Sequence, residues 1–303
     1  MIDYLPEGRL LHREENRQAL ESIDTLAEAM RRRTVLEAMA ERCDSQKNLH
    51  VRLGRWSGVI PRDETALGLR EGTVREIAVL ARVGKPVAFQ VIGLEANDGK
   101  LTPLLSRRSA QKSALDAIQS LPAGTVLEAT VTHLESFGAF VDIGCGLTSM
   151  IPIDRISISR IPHPRCRFRP GQQIRAVLLG IDPERGHVLL SHRELLGTWA
   201  ENAARFAPGE TVTGVVRGIQ DYGIFVELAP NLTGLAECCP GVEENQRVSV
   251  FIKSIQPERR KIKLLIIDAL EPGVEYTPFE YPPAPEDAAG WRYDSDADLT
   301  RSQ

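Results

Sequence analysis

The chain lacks most of the signals that announce an enzyme, a membrane protein or a metalloprotein. Its five cysteines (Cys43, Cys145, Cys166, Cys238 and Cys239) are scattered apart from one adjacent pair, and no CxxC spacing occurs. That excludes a zinc ribbon or a CxxC redox motif, and the odd number suits a reduced, cytoplasmic compartment. No apolar run approaches the roughly 20 residues needed to span a bilayer. The start, MIDYLPEGRL, has no basic segment followed by an apolar core, so no export signal is expected. Neither GxxxxGK[ST] nor GxGxxG is present to cradle a phosphate. His133 and His187 have no serine or cysteine in a catalytic arrangement, and the pair Glu243-Glu244 has no partner acid. No catalytic set, metal, cofactor or small-molecule substrate is therefore expected.

A strong positive charge is also missing, since the net charge is −4. The deficit is local. From Asp268 to Gln303 nine acidic residues accompany two arginines, which leaves 35 basic and 32 acidic residues in the body. A near-neutral body is unsuited to phosphate-dominated duplex binding, which needs a basic face. It remains compatible with single strands held by stacking and a few placed cations.

Aromatics supply only 5% of residues, so a recurring aromatic pattern carries weight. The window SFGAFVDIG at Ser136–Gly144 returns 85 residues later as DYGIFVEL at Asp221–Leu228. Gly124, Leu127, Ala129, Val131, Phe137, Gly138 and Phe140 return as Gly209, Val212, Gly214, Val216, Tyr222, Gly223 and Phe225. Self-similarity of this kind marks an array of one module. Each copy sets two aromatics around a glycine, which pairs a stacking platform with a close backbone approach.

The middle module shows its strands plainly. Val126–Thr132 alternates apolar and polar residues, and Gly138–Ile143, Met150–Ile153, Gly171–Ile181 and Val188–Ser191 follow between turns. Five short strands with no helical crossover predict a small antiparallel barrel of the OB-fold kind. The plan repeats over 208–268, with the third-to-fourth connection shortened from 22 residues to 11. The longer middle version, Ile156–Pro170, carries four arginines, and insertions in repeats fall in loops that often make contacts. A degenerate copy spans 34–108, in which Lys47 and His50 stand at the two aromatic positions.

The fold class is thus all-β: three five-stranded OB-fold barrels in tandem, with helical connectors at 109–122 and 194–207. An N-terminal helical arm is expected over 1–33, with one helix at Glu15–Arg33, and an acidic, proline-rich tail, extended or disordered, over 269–303. Leu195, Leu196, Trp199, Ala203 and Phe206 form a connector stripe expected to pack on a neighbouring barrel.

The series Gly124, Val131, Phe137-Gly-Ala-Phe140-Val141-Asp142, Gly171-Gln172, Ile181-Asp182 and Leu190-Ser191 resembles the RNA-binding repeat of bacterial ribosomal protein S-one. The likeness is strong over 123–193, good over 208–268 and weak over 34–108. It implies an RNA face made of two aromatics, a histidine, an aspartate and an arginine. On that basis Phe137, Phe140 and Asp182 match in the middle repeat, His187 takes the arginine position, and Pro152 stands where histidine is common. In the last repeat Tyr222 and Phe225 keep the aromatic pair and Lys261 supplies the cation, while Glu237 and Gln256 replace the histidine and aspartate. The first repeat retains only Lys100, with Glu95 at the aspartate position.

Strand aromatics are usually core residues, so alternation has to decide. In Gly138–Ile143 it sets Phe140 with Asp142, against Ala139, Val141 and Ile143. In the later copy it sets Phe225 with Glu227, against Ile224, Val226 and Leu228. The aliphatic sets are the better cores, which leaves both phenylalanines beside a carboxylate and accessible. Arg185, Arg193, Arg259, Arg260, Lys261 and Lys263 gather at the fourth-to-fifth-strand turns, open either to solvent or to phosphate. The expected partners are single-stranded RNA or mRNA and, from the resemblance, the small ribosomal subunit in translation initiation. A free RNA-binding regulator is the alternative. The repeats leave no segment of about 100 residues for a catalytic core.

Overall fold

The structure is a computed structural model that describes residues 4–97, 100–184, 186–274, 276–282 and 288–291. Among these, fifteen strands close into three barrels of five. The first is β1 (Leu36–Cys43), β2 (Leu49–Leu53), β3 (Trp56–Ile60), β4 (Pro86–Asn97) and β5 (Lys100–Ser106). The second is β6 (Val126–Glu135), β7 (Gly138–Asp142), β8 (Thr148–Pro152), β9 (Gln173–Ile181) and β10 (Val188–Ser191). The third is β11 (Thr211–Gln220), β12 (Gly223–Ala229), β13 (Leu232–Ala236), β14 (Arg247–Gln256) and β15 (Lys261–Ala269).

Each barrel uses one order. The first three strands are neighbours, antiparallel in the first and third barrels, and the fifth pairs in parallel with the third. The registers are Val59 with Leu104, Met150 with Leu189, and Leu235 with Lys263. Closure removes the unpaired edges a five-stranded sheet would otherwise expose. A register shift near the middle of β1 and of β11 helps these long first strands coil around their barrels.

The chain divides into two compact units. One comprises 1–121 with 128–130 and 142–148; the other comprises 122–127, 131–141 and 149–303. In the first unit, the arm contributes to the core of the first barrel. Leu20, Leu26 and Ala29 are buried with Leu36, Leu49, Val51, Phe89 and Leu105. Full burial of one such leucine contributes about 1.5–3 kcal/mol. The arm is not the single helix that its spacing predicts. It forms α1 (Glu14–Ala19) and α2 (Ile23–Arg32), because Ser22 starts a new helix. The Ser22 hydroxyl accepts from the Thr25 amide and Thr25 Oγ1 accepts from the Ser22 amide, each at 3.1 Å. A single turn, α3 (Ile77–Leu80), precedes β4. The helix α4 (Arg107–Gln119) is capped by the Ser106 hydroxyl, which accepts from the Ser109 amide at 2.8 Å.

In the second unit, α5 (Trp199–Ala203) opens on a capping box between Thr198 and Glu201. Its apolar stripe divides as a linker's should. Leu195 packs with Val177 of the second barrel, while Trp199, Ala203 and Phe206 join the core of the third. The described part of the tail is extended and docked. The Thr277 amide donates to the Cys166 carbonyl at 2.9 Å, and Tyr281 Oη lies 2.9 Å from both the Arg175 amide and His192 Nε2. Phe279 and Tyr281 close an edge-to-face cluster on Phe168 and His192, with ring centroids 4.9–5.9 Å apart. Among the described residues no helix is long and apolar enough to cross a membrane.

Candidate nucleic-acid interface

The two aromatic pairs occupy the same place in their barrels and share one geometry. Phe137 sits in the β6–β7 turn and Phe140 on β7, with centroids 6.0 Å apart and planes at 86°. Tyr222 and Phe225 repeat this at 6.1 Å and 88°. The turn residues are open, Phe137 being 54% and Tyr222 69% exposed. Phe140 and Phe225 are half-buried while every other residue of β7 is buried, as are the flanking Ile224 and Val226. Exposed aromatic surface of this size in water is unfavourable unless something covers it, and a nucleobase is a matching cover. His133 extends the middle face, its ring 6.2 Å from Phe140 and 31° from parallel.

The glycine between the aromatics brings two backbones together. A Cβ on Gly138 would stand 2.6 Å from the Ile151 carbonyl oxygen, and one on Gly223 would stand 2.6 Å from that of Ala236. Any side chain there would force β7 from β8, or β12 from β13, and would misplace the rings.

The carboxylates beside the phenylalanines are not accessible. Asp142 and Glu227, 85 residues apart in equivalent positions, are 5% and 3% exposed. The Asp142 oxygens accept from the amides of Glu7 (2.8 Å), Gly144 (2.9 Å) and Gly146 (3.0 Å). Burial, with the Glu7 charge nearby, pushes its pKa up to about 7. Glu7 is also buried, but Arg107, bonded through Nε (2.6 Å) and Nη2 (3.0 Å), outweighs that burial and holds it below the usual range. Glu227 takes two guanidinium groups, Arg167 and Arg217, whose side chains are 0% and 2% exposed. Strand parity alone would have set both acids on the open face. Asp142 ends β7 and Glu227 lies where the β12–β13 register shifts, and both turn inward, where amides and arginines satisfy them.

The cations separate similarly. Asp182 lies at the β9–β10 turn, its carboxylate accepting from the Glu184 amide at 2.9 Å, and His187 is exposed on the same turn. Arg185 lies outside the described residues, and so does the side chain of Lys100. In the third barrel Lys261 is exposed at the start of β15, and Arg260 lines a cavity of about 850 Å³ together with Tyr222 and Phe225. Glu237, at the position of the resembled family's histidine, is bound by Lys253 at 2.6 Å, which lowers its pKa. Of the four arginines in the Ile156–Pro170 insertion, Arg167 is sequestered by Glu227, and Arg169 stacks 4.5 Å from the centroid of Tyr276. Arg160 reaches the cavity. Its position there was not legible from the loop, because no spacing rule says which arginine of an insertion faces a groove.

Residues 120–193 match the family described as "S1: S1 RNA binding domain". That stretch holds the second barrel. The chain is similar to bacterial small ribosomal subunit protein bS1. It is 28% identical over 216 residues to that of Rhizobium meliloti, covering 65% of this chain and 37% of the relative. With that of Leuconostoc lactis the identity is 30% over 197 residues, covering 59% and 45%. A bS1 homolog of Bacillus subtilis is 28% identical over 198 residues, covering 60% and 51%. The chain thus spans between about a third and a half of the length of these relatives.

Proposed function

We propose that the chain binds single-stranded RNA through the faces of its second and third repeats and acts with the small ribosomal subunit to hold mRNA during translation initiation, in the cytoplasm. The observation that carries this reading is the duplicated edge-to-face pair, Phe137/Phe140 and Tyr222/Phe225, the first of which lies within the matched S1 domain. Bases stack on such rings whatever their identity, so sequence preference is weak. Arg260 and Lys261, with His187 in the middle repeat, meet the backbone. Asp182 completes the middle turn. The chain works by binding and performs no catalysis.

The first repeat fits a different task. Its β2 carries His50 at the second aromatic position, engaged with Asp44 at 3.1 Å, so that face presents no stacking pair. We assign it to docking on the subunit. Sedimentation of cell extract through a sucrose gradient tests the ribosomal part: the protein should travel with small subunits. Purified protein that binds unstructured RNA but stays at the top of the gradient would replace that role with free RNA-binding regulation. Failure to bind single-stranded RNA at all would end the proposal.

A further inference from the structure

The aromatic face of the third repeat is walled. The cavity of about 850 Å³ is bounded on one side by Tyr222, Phe225 and Arg260 of the third barrel. On the other it is bounded by Ile158, Ser159, Arg160 and Pro162 from the second repeat's insertion. Its size falls within the range of ligand clefts, about 300–1,000 Å³. The wall is fixed to the third barrel by a set of hydrogen bonds. The Ile158 amide donates to Asn231 Oδ1 at 2.9 Å, the Ser159 amide to the Pro230 carbonyl at 3.3 Å, and the Ser159 and Thr233 hydroxyls lie 3.1 Å apart. Asn231 in turn donates to the carbonyls of Arg193 (2.9 Å) and Gly197 (2.8 Å), which ties β13 to the linker.

The charge beneath the cleft is unbalanced in a useful direction. Arg167 and Arg217 share the single carboxylate of Glu227, so one positive charge is left over in a desolvated place, and Arg217 lines the cavity. Arg160 is exposed and makes no ion pair among the described residues. Glu244 is the one acid among the lining residues. A cleft with an exposed aromatic on one wall and cations on two sides suits a base with its phosphate, because the ring takes the flat apolar group and the guanidinium takes the anion.

We infer that the insertion of the second repeat completes the RNA site of the third, so that the two repeats hold one nucleotide of a single strand in a composite cleft between Tyr222 and Arg160. This rests on the third repeat's face being an RNA site. Sequence spacing does not suggest it, because the two sides of the cleft come from different copies of the module.

The test is a double-mutant cycle on the full chain, read by fluorescence anisotropy with a labelled 12-nucleotide unstructured RNA. Arg160→Ala should weaken binding at least about tenfold, as expected for one charge-assisted contact. Arg160→Lys should restore most of that loss. Arg160→Ala combined with Tyr222→Ala should cost less than the product of the two, since both hold the same nucleotide, whereas losses with Phe140→Ala should multiply. If Tyr222→Ala weakens binding and Arg160→Ala stays within twofold, the composite cleft is overturned and the RNA reading of the face survives. If neither Tyr222→Ala nor Phe140→Ala has an effect, the RNA reading itself has failed. A mononucleotide that competes as well as the RNA would overturn the assignment of the cleft to a strand.

Discussion

Replacing Glu227 by Gln should destabilise the third barrel more than any single surface change. The carboxylate is 1% exposed at its side chain and lies between two guanidinium groups at 0% and 2%. Gln keeps the shape and one acceptor but removes the charge, which strands two buried cations. Breaking a buried pair by removing one partner costs about 3–5 kcal/mol. Arg217 retains its bonds to Asn245 Oδ1 and Thr277 Oγ1, each 3.0 Å, so the loss should lie nearer the lower figure. Arg167→Met should behave differently. It leaves Glu227 paired one-to-one with Arg217, and it removes an Nε that has no partner among the described residues. Its cost should be under about 2 kcal/mol, because apolar replacement of a buried charge can approach neutrality. Amide hydrogen exchange over 211–229 reads this in the barrel itself. At about 1.4 kcal/mol per tenfold, Glu227→Gln should accelerate exchange of the most protected amides by at least about a hundredfold. Equal effects for the two variants, or a cost below about 1 kcal/mol for Glu227→Gln, would refute the idea that this carboxylate neutralises the cluster.

Other expectations follow from the same geometry. Phe140→Ala and Phe225→Ala should each weaken single-stranded RNA binding about 5- to 100-fold, the worth of one stacked base, with circular dichroism unchanged; loss of structure with normal binding of the folded fraction would make them core residues. Binding should show a log–log salt slope of about −1.5 to −3, as two to four phosphate contacts on a single strand require, and a slope implying eight or more would mean a basic surface does the binding. His192 is fully buried and its pKa is pushed down to about 4, so the folded protein refuses a proton that the unfolded chain accepts below about 6.5. Its contribution is complete above that pH and falls by about 3 kcal/mol as pH drops to 4; an imidazole that titrates near 6.5 by NMR would contradict it. A fragment beginning at residue 109 should keep RNA binding by the third repeat but lose protection in the Asp142–Thr148 turn, because the Leu5 carbonyl, which accepts from the Cys145 amide at 2.8 Å, and Glu7 leave with the deleted segment; hydrogen exchange unchanged there would show those contacts to be dispensable.

Much of the architecture was legible because a barrel repeat writes itself in short-range signals. Alternation, turn glycines and the 85-residue offset needed no partner to be recognised, and the parity of Phe140 and Phe225 followed from period two alone. What escaped depended on sequence-distant partners. Asp142 meets an amide 135 residues away and Glu227 a guanidinium 60 residues away, so parity placed them on the open face when long-range pairing had drawn them inside. The acidic, proline-rich tail reads only as extended or disordered, yet the rings of Tyr276, Phe279 and Tyr281 and the Tyr281 hydroxyl find Arg169, His192 and Arg175. The break in the arm was different: Ser22 and Thr25 carried the capping signal openly, and the apolar spacing across it masked the restart.

The two buried acids suggest why the repeats are not independent beads. Each carboxylate lies in the last part of the second strand of its barrel, and burying it without partners would cost several kcal/mol. Both copies resolve this with a segment that precedes them in the chain. Asp142 is met by the Glu7 amide, with Arg107 holding Glu7 and donating to the Gly146 carbonyl at 3.3 Å. Glu227 is met by Arg167 from the insertion of the repeat before. In each case the partner was synthesised first, and the acid gains its full set of partners only when that earlier segment is in place. The second joint also orders the insertion that walls the Tyr222 cleft, so the pairing that stabilises the third barrel is the one that shapes its proposed RNA face. Under the proposed function, a change at Arg167 or Glu227 would therefore act on folding and on RNA affinity together.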